Sequence, residues 1–150
     1  MMGDYEKALP LYQRALDIRE KVLSPQHPEI AITLNNLAAL YRQMGDYEKA
    51  LLIFQRALEI HEKVLSPEHP DVAIILNNLA LLYRQMGDYE KALPLYQRAL
   101  DIREKVLGLQ HPDVATTLSY LAELYTQMGD YEKALPLYQR IGKNSNYPKN

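Results

Sequence analysis

Gly45-Asp46-Tyr47-Glu48-Lys49-Ala50-Leu51 is written four times in this chain, starting at Gly3, Gly45, Gly87 and Gly129, with a constant step of 42 residues. The text between copies repeats too: Gln-Arg-Ala-Leu, Glu-Lys-Val-Leu, His-Pro, Leu-Ala and Leu-Tyr recur in that order. A fixed period of this size marks a solenoid, in which each unit is one supersecondary element that buries its apolar face against its neighbours.

Within the unit that begins at Gly45, apolar or small residues fall at Tyr47, Ala50, Leu51, Phe54, Ala57, Leu58, Val64 and Leu65. Spacings of three and four place them on one helical face, which predicts a helix B over 46–65. Gly45 suits the left-handed position that ends the preceding helix, and Asp46 suits the N-cap. Glu48 complements the helix dipole, and Glu59 with Lys63 forms an i,i+4 pair. Ser66-Pro67-Glu68-His69-Pro70-Asp71 then stops one helix and starts the next. Helix A is expected over 70–86, burying Ala73, Leu76, Leu79, Ala80 and Tyr83. It ends at the next Gly-Asp, so A and B must be antiparallel and packed face to face.

The whole chain therefore reads as all-α, a single array over 1–141. A lone B helix (4–23) comes first, followed by helix pairs over 28–65, 70–107 and 112–141, about seven helices in all. The last B helix is expected to end near Arg140. The polar tail 142–150 leaves the repeat and is expected to be disordered. Pro10, Pro94 and Pro136 fall in the second turn of three B helices, where the lost backbone bond predicts a small bend; the fourth has Leu52 there.

Leu34, Leu37, Ala38 and Tyr41 in helix A, Gly45 at the corner, and Ala50, Phe54 and Ala57 in helix B resemble the tetratricopeptide repeat. The longer unit, the Ser-Pro-x-His-Pro linker and the phrases Leu-Asn-Asn-Leu-Ala and Ala-Leu-x-Ile-Arg-Glu-Lys-Val-Leu are similar to the variant found in kinesin light chain and in many bacterial proteins. The resemblance covers about residues 3–140, without the heptad segment of kinesin light chain. It implies a right-handed superhelix of antiparallel helix pairs, with the A helices lining a concave groove that holds a peptide of a partner protein.

Comparison of the units with one another separates packing from variation. Ala31/Ala73/Ala115, Leu34/Leu76/Leu118, Leu37/Leu79/Leu121, Ala38/Ala80/Ala122 and Tyr41/Tyr83/Tyr125 do not vary at all. A second stripe varies: Ile32/Ile74/Thr116, Asn35/Asn77/Ser119, Asn36/Asn78/Tyr120, Ala39/Leu81/Glu123 and Arg42/Arg84/Thr126, together with Thr33/Ile75/Thr117. Its spacing puts it on the A-helix face away from helix B, the expected groove wall; drift at exposed positions is the competing reading. The candidate peptide-binding residues are Asn35, Asn36, Arg42, Asn77, Asn78, Leu81, Arg84, Thr116, Ser119, Tyr120 and Glu123. An Asn side chain both donates and accepts, so Asn36 and Asn78 suit a peptide backbone. The resemblance implies the same role, holding a ligand's backbone or carboxylate. Asn35 and Asn77 could instead bridge neighbouring A helices. Arg42 and Arg84 could pair with an acidic peptide or simply form an ion pair within the protein.

Other chemistries find little support. The chain has no cysteine and a formal net charge of −2, so thiol chemistry is excluded and nothing draws it to nucleic acid or to an anionic membrane. No apolar run reaches the roughly 18 residues of a membrane helix, and no signal-peptide pattern opens the chain. Absent disulfides fit a cytoplasmic setting. His27, His69 and His111 each precede a Pro at a helix start and read as caps. Packed helices hold equivalent residues roughly 8–10 Å apart or more, too far for one metal ion. His61 stands where the other units have Arg19 and Arg103 and reads as a surface residue. No nucleophile sits beside a base and no glycine-rich phosphate loop occurs, so neither an enzyme nor a cofactor is expected.

A peptide-binding module is the leading function. A self-assembling unit is the alternative, because the terminal B helices lack the polar caps that close such arrays, leaving Tyr5, Leu9, Tyr12, Leu16, Leu135 and Tyr138 near open ends; the chain would then be a homo-oligomer or a piece of a longer array. The close agreement of the first two full units also suits a consensus-like scaffold.

Overall fold

A computed structural model describes residues 2–144. It contains seven helices and no strand among these residues: α1 (Met2–Val22), α2 (Pro28–Gln43), α3 (Tyr47–Val64), α4 (Pro70–Gln85), α5 (Tyr89–Leu107), α6 (Pro112–Gln127) and α7 (Tyr131–Asn144). The helices follow the predicted alternation, with α2, α4 and α6 as A helices and the rest as B helices. Each A helix packs on the B helix that follows it, on the B helix before it, and α2 also touches α4. The arrangement is an α-solenoid. One boundary moves: α7 runs on to Asn144, so residues 142–144 are helical where a disordered tail was expected. The rest of that tail, 145–150, lies outside the described residues.

The repeated heptapeptide is the A-to-B corner. At the first full copy Gly45 N–H donates to the Arg42 carbonyl at 3.0 Å and Asp46 N–H to the Tyr41 carbonyl at 2.9 Å. These are the two bonds of a Schellman C-cap, and they require the positive φ of 85° that Gly45 adopts. A Cβ at Gly45 would meet nothing within 4 Å, so the backbone angle and not space selects glycine. Asp46 then caps the next helix by accepting from Lys49 N–H. Lys49 Nζ also lies 5.5 Å from the centre of the Tyr41 ring, and Lys91–Tyr83 and Lys133–Tyr125 repeat that contact. Gly45, Asp46 and Lys49 thus each have a structural task, and Ala50 is fully buried.

His27, His69 and His111 are the N-caps of the A helices. Each Nδ1 accepts the backbone N–H two residues on, at 3.1, 3.1 and 3.0 Å, with proline at the first helical turn. Glu59 and Lys63 pair at 3.1 Å, as their spacing predicts.

The core is wider than one stripe. Besides the invariant positions, Ile30/Val72/Val114 and Leu40/Leu82/Leu124 are buried, because each A helix is covered by two B helices. Two expectations fail here. Thr33, Ile75 and Thr117 are not groove wall; all are buried on the side that meets the preceding B helix. His61 is not a surface residue but 1% exposed, since position 61 faces the following A helix and its side chain is enclosed there.

Candidate functional site

The A-helix face turned away from the B helices carries Ile32, Asn36 and Ala39 on α2, Ile74, Asn78 and Leu81 on α4, and Thr116, Tyr120 and Glu123 on α6. Ile32 and Ile74 are 44% and 43% exposed, unlike the rest of the large A-helix aliphatics, which are buried or half-buried. Two of the protein's cavities open here. One, about 280 Å³, lies between α2 and α4 and is lined by Ile32, Asn35, Asn36, His61, Asp71, Ile74 and Ile75. The other, about 340 Å³, lies between α1 and α2 and includes Tyr5, Tyr12, Asn36 and Ala39. Asn36 borders both and is exposed, and its side-chain amide makes no hydrogen bond to the described residues.

The other asparagines are committed. Asn78 Nδ2 donates to Asn35 Oδ1 at 3.0 Å, tying α4 to α2. Asn77 is 7% exposed and donates Nδ2 to Thr117 Oγ1 at 3.1 Å, tying α4 to α6. The structure therefore brings Asn36 to the groove surface, half-buries the bonded pair Asn35 and Asn78, and removes Asn77 from it. The arginines are partly engaged: Arg42 Nη1 reaches Gln85 Oε1 at 3.4 Å, and Arg84 forms an ion pair with Glu123 at 3.0 Å. That pair links α4 to α6, so two predicted groove residues neutralise each other. Tyr120 stacks on Tyr96 with ring centres 5.8 Å apart, and Thr116 donates to the Pro112 carbonyl at 3.1 Å. Leu81 and Ser119 are half-buried between their neighbours.

Beneath the groove runs a layer that sequence reasoning missed. Arg103, on α5, is 9% exposed; its Nη1 donates to the Asp113 carbonyl at 3.2 Å and to Thr117 Oγ1 at 2.8 Å. The Thr117 hydroxyl in turn donates to the Asp113 carbonyl at 3.1 Å, so it accepts from Arg103 and Asn77 while giving its own proton. Burial holds the Arg103 guanidinium below its ordinary pKa, offset in part by the Asp113 carboxylate. Arg19 reaches Thr33 Oγ1 and the Glu29 carbonyl in the same way. In the middle unit both partners change together: His61 replaces the arginine and Ile75 the threonine, 14 positions apart as in the other two pairs. His61 Nε2 instead meets the Pro28 carbonyl on α2 at 3.4 Å, and its Nδ1 is buried without a partner. That joint departure was readable in the repeats, and it marks the cavity between α2 and α4.

Among the described residues no cluster of three or more His, Asp or Glu could hold a metal ion, and no helix is long and apolar enough to cross a membrane.

A family model described as Tetratricopeptide repeat matches residues 1–63, 29–105 and 71–141. No curated protein matches the chain. Among solved structures, BtubC (BKLC) from P. vanneervenii superposes with a TM-score of 0.85 at 33% identity, covering 93% of this chain and 55% of that one. The chain thus spans little more than half the length of that relative. A kinesin-light-chain-like protein of Podosopora anserina with nearly identical TPR-like repeats gives a TM-score of 0.76, and a variant of it 0.79. Each is 25% identical, over 95% of this chain and 67% of the other.

Proposed function

The chain belongs to the tetratricopeptide repeat family, whose members serve as protein-interaction modules, and from that premise we propose that it binds an extended segment of a partner protein along the groove lined by α2, α4 and α6. The observation that carries this reading is the exposure of Ile32 and Ile74 beside Asn36 on an A-helix face that varies between the repeats. Exposed aliphatics next to an amide with free donors and acceptors suit a peptide, whose side chains are apolar at intervals and whose backbone is polar throughout. Asn36 grips the backbone at the α2 end, Asn78 near the middle. Tyr120 and the Arg84–Glu123 pair give the α6 end a different preference. The groove binds without catalysing, and the setting is the cytoplasm.

The test is a peptide selected on the immobilised chain from a random displayed library. Substituting Asn36→Ala and Asn78→Ala together should weaken that peptide about tenfold, the effect of one or two lost hydrogen bonds. Thermal unfolding confirms that the fold survives the loss of the Asn78–Asn35 bond. An unchanged dissociation constant in a folded double variant refutes the reading.

A further inference from the structure

The cavity between α2 and α4 stands where the neighbouring units place a cation of their own. We propose that it is a receptor for the guanidinium of an arginine carried by the partner segment. The proposal rests on the groove reading and names the chemistry that one part of the groove selects.

The solenoid itself supplies the first argument. Shifting the cavity-lining residues by one unit gives Ile74, Asn77, Asn78, Arg103, Asp113, Thr116 and Thr117. In that unit the space is organised by a guanidinium, with Arg103 bonded to the Asp113 carbonyl and to Thr117 Oγ1. Arg19 does the same one unit earlier, against the Glu29 carbonyl and Thr33. The middle unit has the same histidine cap and the same first-turn carboxylate, Asp71, but no arginine. His61 is shorter and bonds across to α2, so the place beside Asp71 and Ile75 opens as a cavity of about 280 Å³.

The lining supplies the second. It contains no Lys or Arg and one carboxylate, Asp71, which is 41% exposed. His69 Nδ1 accepts the Asp71 backbone N–H and so presents a lone pair, not a proton, toward that carboxylate. Asn35 Oδ1 accepts once, from Asn78, and Asn36 is exposed. His61 Nε2 donates to the Pro28 carbonyl, and its Nδ1, buried behind the lining, finds no partner in the protein. Acceptors thus surround a space walled by Ile32, Ile74 and Ile75. A guanidinium fits this pattern: its five donors fan out in a plane to serve separated acceptors, and its weakly hydrated faces rest on aliphatic side chains. An ammonium is a compact, strongly hydrated point charge and uses the pattern less well.

Two capped tripeptides test it by NMR on the intact chain: acetyl-Ala-Arg-Ala-amide, and the same peptide with neutral citrulline, which keeps the shape and loses the charge. The arginine peptide should shift the Ile74 and Ile75 methyls and the His61 ring, and the citrulline peptide should bind about tenfold more weakly, the effect of losing a charge-assisted bond. The double variant His61→Arg with Ile75→Thr rebuilds the neighbouring units' arrangement and should abolish those shifts. Equal binding of the two tripeptides, tighter binding of a lysine tripeptide, or shifts that persist in the folded double variant each overturn the proposal. So does the absence of shifts at the cavity at about 10 mM peptide, a concentration well above a millimolar dissociation constant. If the Asn36 and Asn78 side-chain amides respond while the cavity does not, the arginine receptor is wrong and the groove reading stands. The groove reading is decided separately, by the selected peptide and the Asn36→Ala, Asn78→Ala double variant. The citrulline comparison needs no variant, so it decides the matter even if the double variant does not fold.

Discussion

Between α4 and α6, Arg103 reaches up from α5 to the Asp113 carbonyl and Thr117 Oγ1, and Asn77 donates to the same hydroxyl, so side chains fill the joint, with Asn77 Oδ1 left buried and unpartnered. Between α2 and α4 the corresponding side chains are His61 and Ile75, and what remains is an open cavity with an unpartnered ring nitrogen. The A helices start the same way at both places, with the histidine cap and the proline that follows it, although the linker before them differs, α3 ending at an extended Leu65 and α5 at Gly108 with a φ of 90°. Inside the joint, the difference lies in two side chains that must change together. A buried guanidinium is tolerable only while its donors are used, and a threonine hydroxyl beneath it is tolerable only while it too is bonded. Isoleucine at that place removes the acceptor, and with it the reason for an arginine. A repeat can therefore convert a structural joint into a recessed site with one coupled substitution, without disturbing the solenoid.

The largest effect should separate the two joints directly. Arg103→Leu deletes the donor that organises the α4–α6 joint and should cost about 2 kcal/mol, the loss of charge-assisted bonds together with a buried hydroxyl left short of a partner. His61→Leu removes a buried nitrogen that has no partner but also gives up the long bond from Nε2 to the Pro28 carbonyl, so the two effects should largely offset and leave a change within about 0.5 kcal/mol. Paired thermal denaturation reads the contrast, since about 1 kcal/mol moves the midpoint of a chain this long by roughly 2–4 °C. If both substitutions cost the same, the distinction between a closed joint and an open one is wrong.

A smaller effect sharpens the same contrast one layer deeper. Tyr96 on α5 and Phe54 on α3 occupy equivalent places, and both are fully buried. The Tyr96 hydroxyl has no hydrogen-bond partner, and burial pushes its pKa far above the usual phenol value, so it stays protonated at any ordinary pH. Tyr96→Phe removes that unsatisfied group while keeping the ring stacked on Tyr120, and should raise stability by about 1 kcal/mol. A loss of stability on denaturation would mean that the hydroxyl is satisfied after all.

Most of the architecture was legible because packing repeats itself. Gly45, Asp46, His69 and the invariant Leu and Ala positions each do one local task, and a fixed period shows each task four or three times over. What escaped was burial by a second neighbour. Position 61 lies between its own partner helix, where Nε2 meets the Pro28 carbonyl, and the next A helix, so periodicity within a unit could not place it. Leu40, Leu82 and Leu124 were missed for the same reason, although their constancy was in plain view. Asn77 was kept among the groove residues with a bridge between A helices as the alternative, and the bridge is what it forms. The roughly 100° turn between adjacent helical residues sends Asn77 into the joint toward Thr117 and Asn78 toward Asn35. The site was legible as a stripe, and its depth was not.

The smallest predicted effect tests whether the units differ anywhere else. On the opposite, B-helix side the same ion pair recurs between successive B helices: Arg56–Glu20 at 3.3 Å, Arg98–Glu62 at 2.9 Å and Arg140–Glu104 at 3.3 Å. All six side chains are well exposed or partly so, hence each pair should contribute only about 0.2–1 kcal/mol, and less in salt. Arg56→Ala, Arg98→Ala and Arg140→Ala should each lower stability by about 0.5 kcal/mol or less, and the three losses should agree. In about 1 M salt, where the screening length falls to roughly 3 Å, they should shrink toward zero together. Agreement would confine the divergence of the middle unit to the groove side, where His61 and Ile75 stand. A loss at Arg98 several times that at Arg56, persisting in salt, would instead mean that the middle unit is held differently on both faces. The cavity beside Asp71 would then follow from a general loosening of that unit and not from the exchange of two coupled side chains.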